Sequence, residues 1–327
     1  MDLESQVQSV KADYDRVKAE LSKKIVGNHD IIEGIMVCLL CNGHALLEGP
    51  PGLGKTSIIK TLGDALHLRF SRIQFTPDLM PADIIGTRIV MEGESGKRYF
   101  QFHEGPVFAN FILADEINRA TPKTQSAMLE AMQENKVTVG REEMPLPQPF
   151  LVLATQNPIE MEGTYPLPEA QLDRFFFKLV MPSPTKAELL EIIDMTTAGE
   201  SAKVNAVMDD ARIRELQKLV RSVPVSSQVK DYALRLVMAT HPESEDAIEQ
   251  TRKYVRYGAS PRGLQSIILA AKTRALFQGR VSVSFDDVRH VTTACLRHRV
   301  ILNFEGEAEG MTTENIMQFL LANIQPE

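Results

Sequence analysis

Short apolar runs alternate with helical stretches over the first half of the chain. The runs are too short for core helices and almost continuously apolar, as strands covered on both faces of a sheet should be; they occupy residues 44–49, 70–75, 111–116, 150–157 and 175–181. Helical periodicity lies between them, for example over 56–66 and 121–134. The alternation predicts an α/β domain with a central parallel sheet.

Two further helices are predicted before the first of these strands. Leu3, Val7, Val10 and Tyr14 recur at spacings of four and three, which indicates an amphipathic helix within residues 1–24. We expect this helix to lie against its own domain, with a coiled-coil contact to a partner as the alternative. A more apolar helix is predicted over 29–41, where Asn and Gly follow as stop signals.

Two segments interrupt the α/β alternation. Residues 88–102 predict a hairpin with its turn near Gly93–Gly96, and residues 136–146 predict a second one with its turn near Gly140. Insertions of this kind are where such folds carry partner contacts.

The pattern becomes helical after two prolines at 182 and 184, which mark a stiff linker. Helices are predicted over 186–197, 209–223, 227–240, 261–278, 285–300 and 313–323. Ser260 and Ser284 precede two of them as N-caps, and the tail after Phe304 is expected to begin as a mobile link. The predicted divisions are an N-terminal helix (1–24), an α/β nucleotide-binding domain (25–183) and a helical domain (184–327).

Composition narrows the class of protein. Among the 327 residues, 43% are hydrophobic and 24% are charged, as in soluble globular proteins, and no apolar run is long enough to span a membrane. The net charge of −7 argues against nucleic acid as a partner. The polar N-terminus and three cysteines without a disulfide or zinc pattern predict a cytoplasmic protein; Cys38 and Cys41 are expected to pack as small hydrophobes.

The sequence GPPGLGKT at 49–56 matches the phosphate-binding pattern G-x-x-x-x-G-K-[ST], and it stands between a predicted strand and a predicted helix. Its glycines let backbone N–H groups turn towards phosphates. Lys55 would hold the β- and γ-phosphates of ATP, and the Thr56 hydroxyl would ligate Mg²⁺. The predicted binding residues of this segment are Gly49, Pro50, Pro51, Gly52, Leu53, Gly54, Lys55, Thr56 and Ser57.

Polar residues follow other predicted strands. Asp115 would complete the metal's shell and Glu116 would orient or deprotonate water, although an acidic pair at a strand end can also cap the next helix. Asn157 ends another strand, and its amide would help to place that water. An arginine on its own is usually a solvated surface residue, but here Arg174 could stabilise negative charge on the transferred phosphoryl group.

Several long segments resemble the MoxR family of AAA+ ATPases. They are GPPGLGKT, FILADEINRATPKTQSAMLEAMQE, ATQNP, EGTYPLPEAQLDRF and GASPRG, and the likeness runs from about residue 25 to about residue 300. The resemblance implies an AAA+ P-loop domain with a central parallel sheet, in which the two hairpins are the helix-2 insert and the pre-sensor-1 hairpin. A smaller all-helical lid domain is implied to follow.

The resemblance also assigns roles to residues. It places Lys55 and Thr56 in the Walker A motif, Asp115 and Glu116 in the Walker B motif, Asn157 at sensor 1, Arg262 at sensor 2, and Val26 and Gly27 beside the adenine. It matches Arg174 to the arginine finger that reaches a neighbouring subunit's site. Arg119 is a second candidate for contact across a subunit interface.

The function implied is ATP hydrolysis in a ring, commonly a homo-hexamer, that remodels or activates client protein complexes, often beside a protein with a von Willebrand factor A domain. An alternative is a motor or loader on nucleic acid, but both hairpins carry charges of mixed sign near their turns, which favours protein clients. A switch without turnover is disfavoured because Glu116 is present.

Overall fold

The computed structural model describes residues 3–92, 98–156, 163–197 and 202–326. Asn157 and the turn predicted at Gly93–Gly96 lie outside these ranges. The first half of the chain consists of α1 (Leu3–Leu21), α2 (His29–Leu40), β1 (Ala45–Glu48), α3 (Lys55–Ala65), β2 (Phe70–Gln74), α4 (Pro81–Ile85), β3 (Gly86–Glu92), β4 (Arg98–Glu104), β5 (Phe111–Asp115), a 3₁₀ turn (Ile117–Arg119), α5 (Pro122–Glu134), β6 (Lys136–Val139), β7 (Glu142–Pro145), β8 (Leu151–Gln156), α6 (Glu169–Leu172) and β9 (Phe177–Val180).

The predicted apolar runs form one parallel sheet in the order β2-β5-β8-β1-β9. Its central strands are almost completely buried because hydrophobic clusters cover both of their faces. In this sheet Gln74 lies beside Asp115, and Glu48 lies beside Gln156. The carboxyl ends of four neighbouring strands therefore present polar residues along one edge of the sheet, where ligands of open α/β sheets bind.

Both predicted hairpins are present as antiparallel pairs, β3 with β4 and β6 with β7. Gly140 makes the turn of the second hairpin with a left-handed φ of 69°. The first hairpin is exposed along most of its length, and its Arg88 guanidinium lies 2.5 Å from the Glu142 carboxylate on the second. The two insertions thus lie side by side on the α/β domain.

The described residues after β9 are mostly helical and include one short two-stranded pair. It comprises α7 (Lys186–Thr197), α8 (Asp210–Ser222), α9 (Ser227–Met238), α10 (Glu249–Tyr254), β10 (Val255–Tyr257), α11 (Pro261–Phe277), α12 (Phe285–Leu296), β11 (Ile301–Leu302), α13 (Phe304–Ala308) and α14 (Thr313–Asn323). The periodicity missed α10 and the β10–β11 pair because these elements are too short to show a period.

Capping residues account for where several of these helices begin. Ser284 is the N-cap of α12, as the sequence predicts, and the structure adds a reciprocal hydrogen bond from the Ser284 backbone N–H to the Asp287 side chain. The prediction that the chain after Phe304 begins as a mobile link was wrong: it begins as α13. Asn303 is the N-cap of this helix, and its side chain accepts a 2.9 Å hydrogen bond from the Gly306 N–H.

α1 joins the two halves of the molecule. It packs against α3 of the α/β domain and α11 of the helical region, and the ring of Tyr14 stacks on Phe277 at 3.9 Å between centroids. One continuous hydrophobic cluster runs from this helix through the sheet into the helical region. In the described parts of the chain, no helix has both the length and the apolar character that crossing a bilayer requires.

Candidate nucleotide-binding site

The phosphate-binding loop connects the buried strand β1 to α3. Gly52 and Gly54 both have left-handed φ angles, 86° and 77°, and a Cβ added at either would meet no atom within 4 Å. The loop is therefore an open cradle of backbone at the positive end of α3, which suits an anion. The Lys55 Nζ donates a hydrogen bond to the Gly49 carbonyl across this cradle. Partial burial lowers the pKa of Lys55.

Thr155, at the end of β8, joins the two acidic residues of the site. Its hydroxyl donates a 2.6 Å hydrogen bond to Asp115 Oδ1 and accepts a 2.8 Å bond from the backbone N–H of Glu116. Thr155 is only 1% exposed, so water cannot replace either bond. Glu116 itself has left-handed backbone angles, φ 57° and ψ 50°, an unfavourable conformation of the kind found at functional sites.

Two residues of β2 hold the same pair of carboxylates from the other side. The Arg72 guanidinium donates to Asp115 Oδ2 at 2.5 and 3.1 Å. Gln74 Nε2 donates to Glu116 Oε2 at 2.8 Å, and Arg119 Nη1 donates to that same oxygen at 3.0 Å. Each acidic side chain is thus engaged by residues of its own chain. Sequence reasoning missed Arg72, Gln74 and Thr155. For Arg72 and Gln74 the available signal was their alternation with the apolar Ile73 and Phe75 at the end of a predicted strand.

A cavity of about 400 Å³ connects these groups, a volume within the usual range for small-molecule sites. Its lining residues are Pro51, Gly52, Gly54, Lys55, Thr56, Arg72, Asp115, Glu116 and Thr155. A cradle of backbone N–H groups with a lysine fits a polyphosphate, and a hydroxyl beside a carboxylate fits a magnesium ion that also binds phosphate oxygens. Within the described ranges, no group of three or more His, Cys, Asp or Glu residues forms a separate metal centre.

Other predicted binding residues are not among those that line the cavity. They are Val26, Gly27, Gly49, Pro50, Leu53 and Ser57. Val26 is buried, and Gly27 approaches α7 so closely that a Cβ there would lie 2.1 Å from Glu188 Oε1. The segment predicted to contact the adenine is therefore packed against the first helix of the helical region.

Arg174 is exposed and lies outside the lining of the nucleotide cavity of its own chain. It borders a different pocket, of about 550 Å³, between α5, the β6–β7 hairpin and α6. Its guanidinium makes a 3.4 Å hydrogen bond to the Leu129 carbonyl. Arg119, the alternative trans-acting arginine, instead contacts Glu116 of the same chain.

Arg262, at the start of α11, also lies outside the described lining of the cavity. Its side chain is half exposed and its Nη1 lies 3.6 Å from Asp173 Oδ2, next to Arg174 in the chain. The structure therefore brings together Lys55, Thr56, Asp115 and Glu116 in one cavity, whereas neither Arg174 nor Arg262 is among the residues that line it. Asn157 is outside the described residues.

A parallel sheet that carries a P-loop and an acidic pair at its carboxyl edge, followed by a helical region, defines an AAA-type ATPase. Comparison with known proteins agrees. Residues 44–177 match the ATPase family associated with various cellular activities (AAA), and residues 248–319 match the AAA lid domain.

Similar individual proteins define the family more closely. The chain is 43% identical to Chaperone MoxR1 of Mycobacterium tuberculosis, over 95% of this chain and 81% of the relative, and 30% identical to Protein MoxR of Paracoccus denitrificans, over 92% of both. A crystal structure of a candidate ATPase from Cytophaga hutchinsonii superposes with a TM-score of 0.92 at 40% identity, covering 99% of this chain and 98% of that one. The chain belongs to the MoxR family of AAA+ ATPases.

Proposed function

We propose that this protein hydrolyses ATP to ADP and phosphate at sites shared between neighbouring subunits of a ring, commonly a homo-hexamer in AAA+ proteins, and uses that hydrolysis to remodel client protein complexes. The observation that carries the proposal is the separation of Arg174 from the cavity that holds Lys55, Asp115 and Glu116 in the same chain. An exposed arginine in this position is available to the cavity of a neighbour.

Binding of ATP would use the cradle and its lysine. The N–H groups around Gly52 and Gly54 would face the phosphates, and Lys55 would leave the Gly49 carbonyl to hold the β- and γ-phosphates. Mg²⁺, when bound with ATP, neutralises charge that builds on the phosphate oxygens. Thr56 and Asp115 would hold that ion, so the Arg72 guanidinium must share or release the Asp115 carboxylate.

Activation of water would fall to Glu116. In the present arrangement its Oε2 accepts hydrogen bonds from Gln74 and Arg119, which lower the basicity of the carboxylate. Turnover therefore requires Glu116 to exchange at least one of these partners for the attacking water. We place Asn157 beside that water as sensor 1, and Arg262 as sensor 2.

Hydrolysis would be completed by Arg174 of the adjacent subunit, which stabilises charge on the transferred phosphoryl group and contributes about 10³-fold or more to the rate. This arrangement makes assembly a condition of efficient turnover. A ring also gives each subunit a means to transmit the state of its nucleotide to the next one.

A client that is a protein, and not a nucleic acid, is favoured by the pairing of charges on the two hairpins. Arg88 lies 2.5 Å from Glu142, and Lys136 lies 2.7 Å from Glu143. Neutralised basic residues offer little to a phosphate backbone. We place the protein in the cytoplasm, acting on a client complex beside a partner with a von Willebrand factor A domain.

The proposal is tested by measuring mass and turnover on the same samples. Native mass spectrometry with ATP should show closed rings, and ATPase activity per subunit should rise with subunit concentration as rings form. The Lys55→Ala variant should not bind a fluorescent ATP analogue. Full activity per subunit under conditions where only monomers are present would contradict the proposal.

Client binding is tested by affinity capture with the Glu116→Gln variant, which should retain ATP. A client should be enriched with ATP and released without it, and the Lys55→Ala variant should capture none under either condition. Capture that ignores both nucleotide and Lys55 would speak against an ATP-driven remodeller.

A further inference from the structure

Three side chains of the helical region converge on Asp173, the residue just before Arg174. Ser260 Oγ and Arg299 Nε donate to Asp173 Oδ1 at 2.6 and 2.9 Å, and Arg262 Nη1 lies 3.6 Å from Oδ2. We call this group, Asp173 with Ser260, Arg262 and Arg299, the Asp173 junction. It connects the start of α11 and the residues that follow α12 to the segment between α6 and β9.

The same segment is also bonded through its backbone. The Arg299 guanidinium donates to the carbonyls of Phe175 at 2.8 Å and Phe176 at 3.3 Å, and the His298 ring lies 2.9 Å from the Phe175 carbonyl. Carbonyls just after Arg174, together with the Asp173 side chain just before it, are thus held by residues that follow α12. The segment that carries Arg174 is therefore hydrogen-bonded to the helical region both just before and just after this residue.

The two arginines of the junction differ in how firmly they are held. The Arg299 side chain is only 2% exposed. Its guanidinium would become an unpaired buried charge if these hydrogen bonds broke, and that is energetically costly. The Arg262 side chain is 51% exposed, and its longer contact to Asp173 is weak and screened by solvent. The junction therefore consists of a fixed bond, through Arg299, and an exchangeable one, through Arg262.

We propose that Asp173 is a positioning residue for Arg174, which fixes the arginine to the helical region so that movement of that region moves the group offered to the neighbouring site. The inference rests on the proposed trans role of Arg174. It adds a route by which the nucleotide state of one subunit changes hydrolysis in the next: Arg262 can exchange Asp173 for another anionic partner while Arg299 keeps the connection intact.

The test uses mixed rings of full-length variants. Asp173→Ala should leave binding of an ATP analogue to its own cavity within about twofold of wild type, whereas its kcat should fall by about 10- to 100-fold, because displacing a catalytic group by 1 Å can cost 10²-fold. Mixing with Lys55→Ala subunits, which retain a well-placed Arg174, should restore activity. The double variant Asp173→Ala/Arg174→Ala should be no slower than Arg174→Ala, since both changes remove the same contribution.

A second variant guards against loss of folding. Asp173→Asn keeps an oxygen that can accept the bonds from Ser260 and Arg299, so it should fold as wild type does by circular dichroism and lose less activity than Asp173→Ala. Asp231→Ala is the matched control, because it removes an exposed carboxylate of the helical region whose partner, Arg235, lies one turn away on α9. It should hydrolyse ATP at the wild-type rate.

The outcomes separate this inference from the proposed function. Rescue of Arg174→Ala by Lys55→Ala, without rescue of Asp173→Ala, would overturn the role of Asp173 and leave the trans arginine intact. Wild-type kcat in Asp173→Ala would overturn it as well. Failure to rescue Arg174→Ala itself, in rings shown to be mixed by native mass spectrometry, would overturn the proposed function first.

Discussion

The hydroxyl of Thr155 bonds the carboxylate of Asp115 at 2.6 Å and, at the same time, accepts from the backbone N–H of Glu116. One buried side chain therefore sets the relative position of the two acidic residues to which we assign metal binding and water activation. The relationship depends on the sheet order, which places β8 beside β5. The positions of Asp115 and Glu116 are therefore fixed by neighbouring buried strands and not by a flexible loop.

Replacing Thr155 by Val should disturb both activity and stability. The two side chains have nearly the same shape, so the change leaves two partly buried groups, the Asp115 carboxylate and the Glu116 N–H, without these hydrogen bonds, at a cost of up to about 3 kcal/mol in the free energy of unfolding. We expect ATPase activity to fall about tenfold or more as Asp115 and Glu116 lose their alignment. Thr155→Ser keeps the hydroxyl and should retain most of the activity; equal losses in both variants would rule out a role for the hydroxyl.

Glu116→Gln should bind ATP with wild-type affinity and hydrolyse it about 10²- to 10⁴-fold more slowly, the range typical of losing a general base. The amide keeps the shape of the side chain but cannot accept a proton. Binding of a fluorescent analogue and single-turnover hydrolysis measure the two effects separately. An unchanged hydrolysis rate would move the base to another residue.

Arg72→Gln should lower the Mg²⁺ concentration that gives half-maximal binding of an ATP analogue. The guanidinium and the ion would compete for the Asp115 carboxylate. Because the Arg72 side chain is about half exposed, its ion pair with Asp115 is weak, and removing it should tighten Mg²⁺ binding by about fivefold at most. Lys60→Gln, on the exposed face of α3, is a matched control for the loss of one positive charge. Weaker Mg²⁺ binding in Arg72→Gln would show that the arginine supports the metal site.

Stability should fall between about pH 6.5 and pH 4 in part through His44. This ring is buried between the Met132 carbonyl and the Val152 N–H, and burial lowers its pKa to about 4. The unfolded chain binds a proton below about pH 6.5 while the folded chain does not, so acid favours unfolding by about 3 kcal/mol at most across this window. His298 is also buried with a lowered pKa and acts in the same direction.

Urea unfolding followed by circular dichroism measures this effect, since the chain has no Trp to report by fluorescence. The loss of unfolding free energy between pH 7 and pH 5 should be smaller in His44→Gln than in wild type. His103→Gln, at an exposed position on β4, should show the wild-type loss. An identical pH dependence in all three proteins would exclude a contribution from His44.

The sequence predicted those parts of the site that lie in continuous segments. Lys55 and Thr56 stand in a pattern whose strand–loop–helix context can be recognised locally, and Asp115 and Glu116 end a short, almost continuously apolar run that predicts a buried strand. The contacts of Arg72 and Gln74 could not be predicted in this way. They require β2 to lie beside β5, and hydrophobic periodicity does not determine the order of strands in a sheet.

Ser260 shows the same limit for a single side chain. Its position before Pro261 predicts an N-cap, and it does occupy that position. Its hydroxyl, however, makes no capping bond and instead donates to Asp173 Oδ1 at 2.6 Å. A tertiary partner from a distant part of the chain replaced the local one, and local pattern carries no information about such partners.

The central claim is that ATP is hydrolysed at a site completed by Arg174 of another subunit, and mixing two inactive variants tests it most directly. Lys55→Ala should not bind ATP, and Arg174→Ala should bind it but turn over about 10³-fold more slowly than wild type. An equal mixture that assembles at random into rings pairs an intact cavity with an intact arginine at about a quarter of its interfaces, so it should recover about a quarter of the wild-type rate. Mixed rings that remain as inactive as the two separate variants would contradict the account.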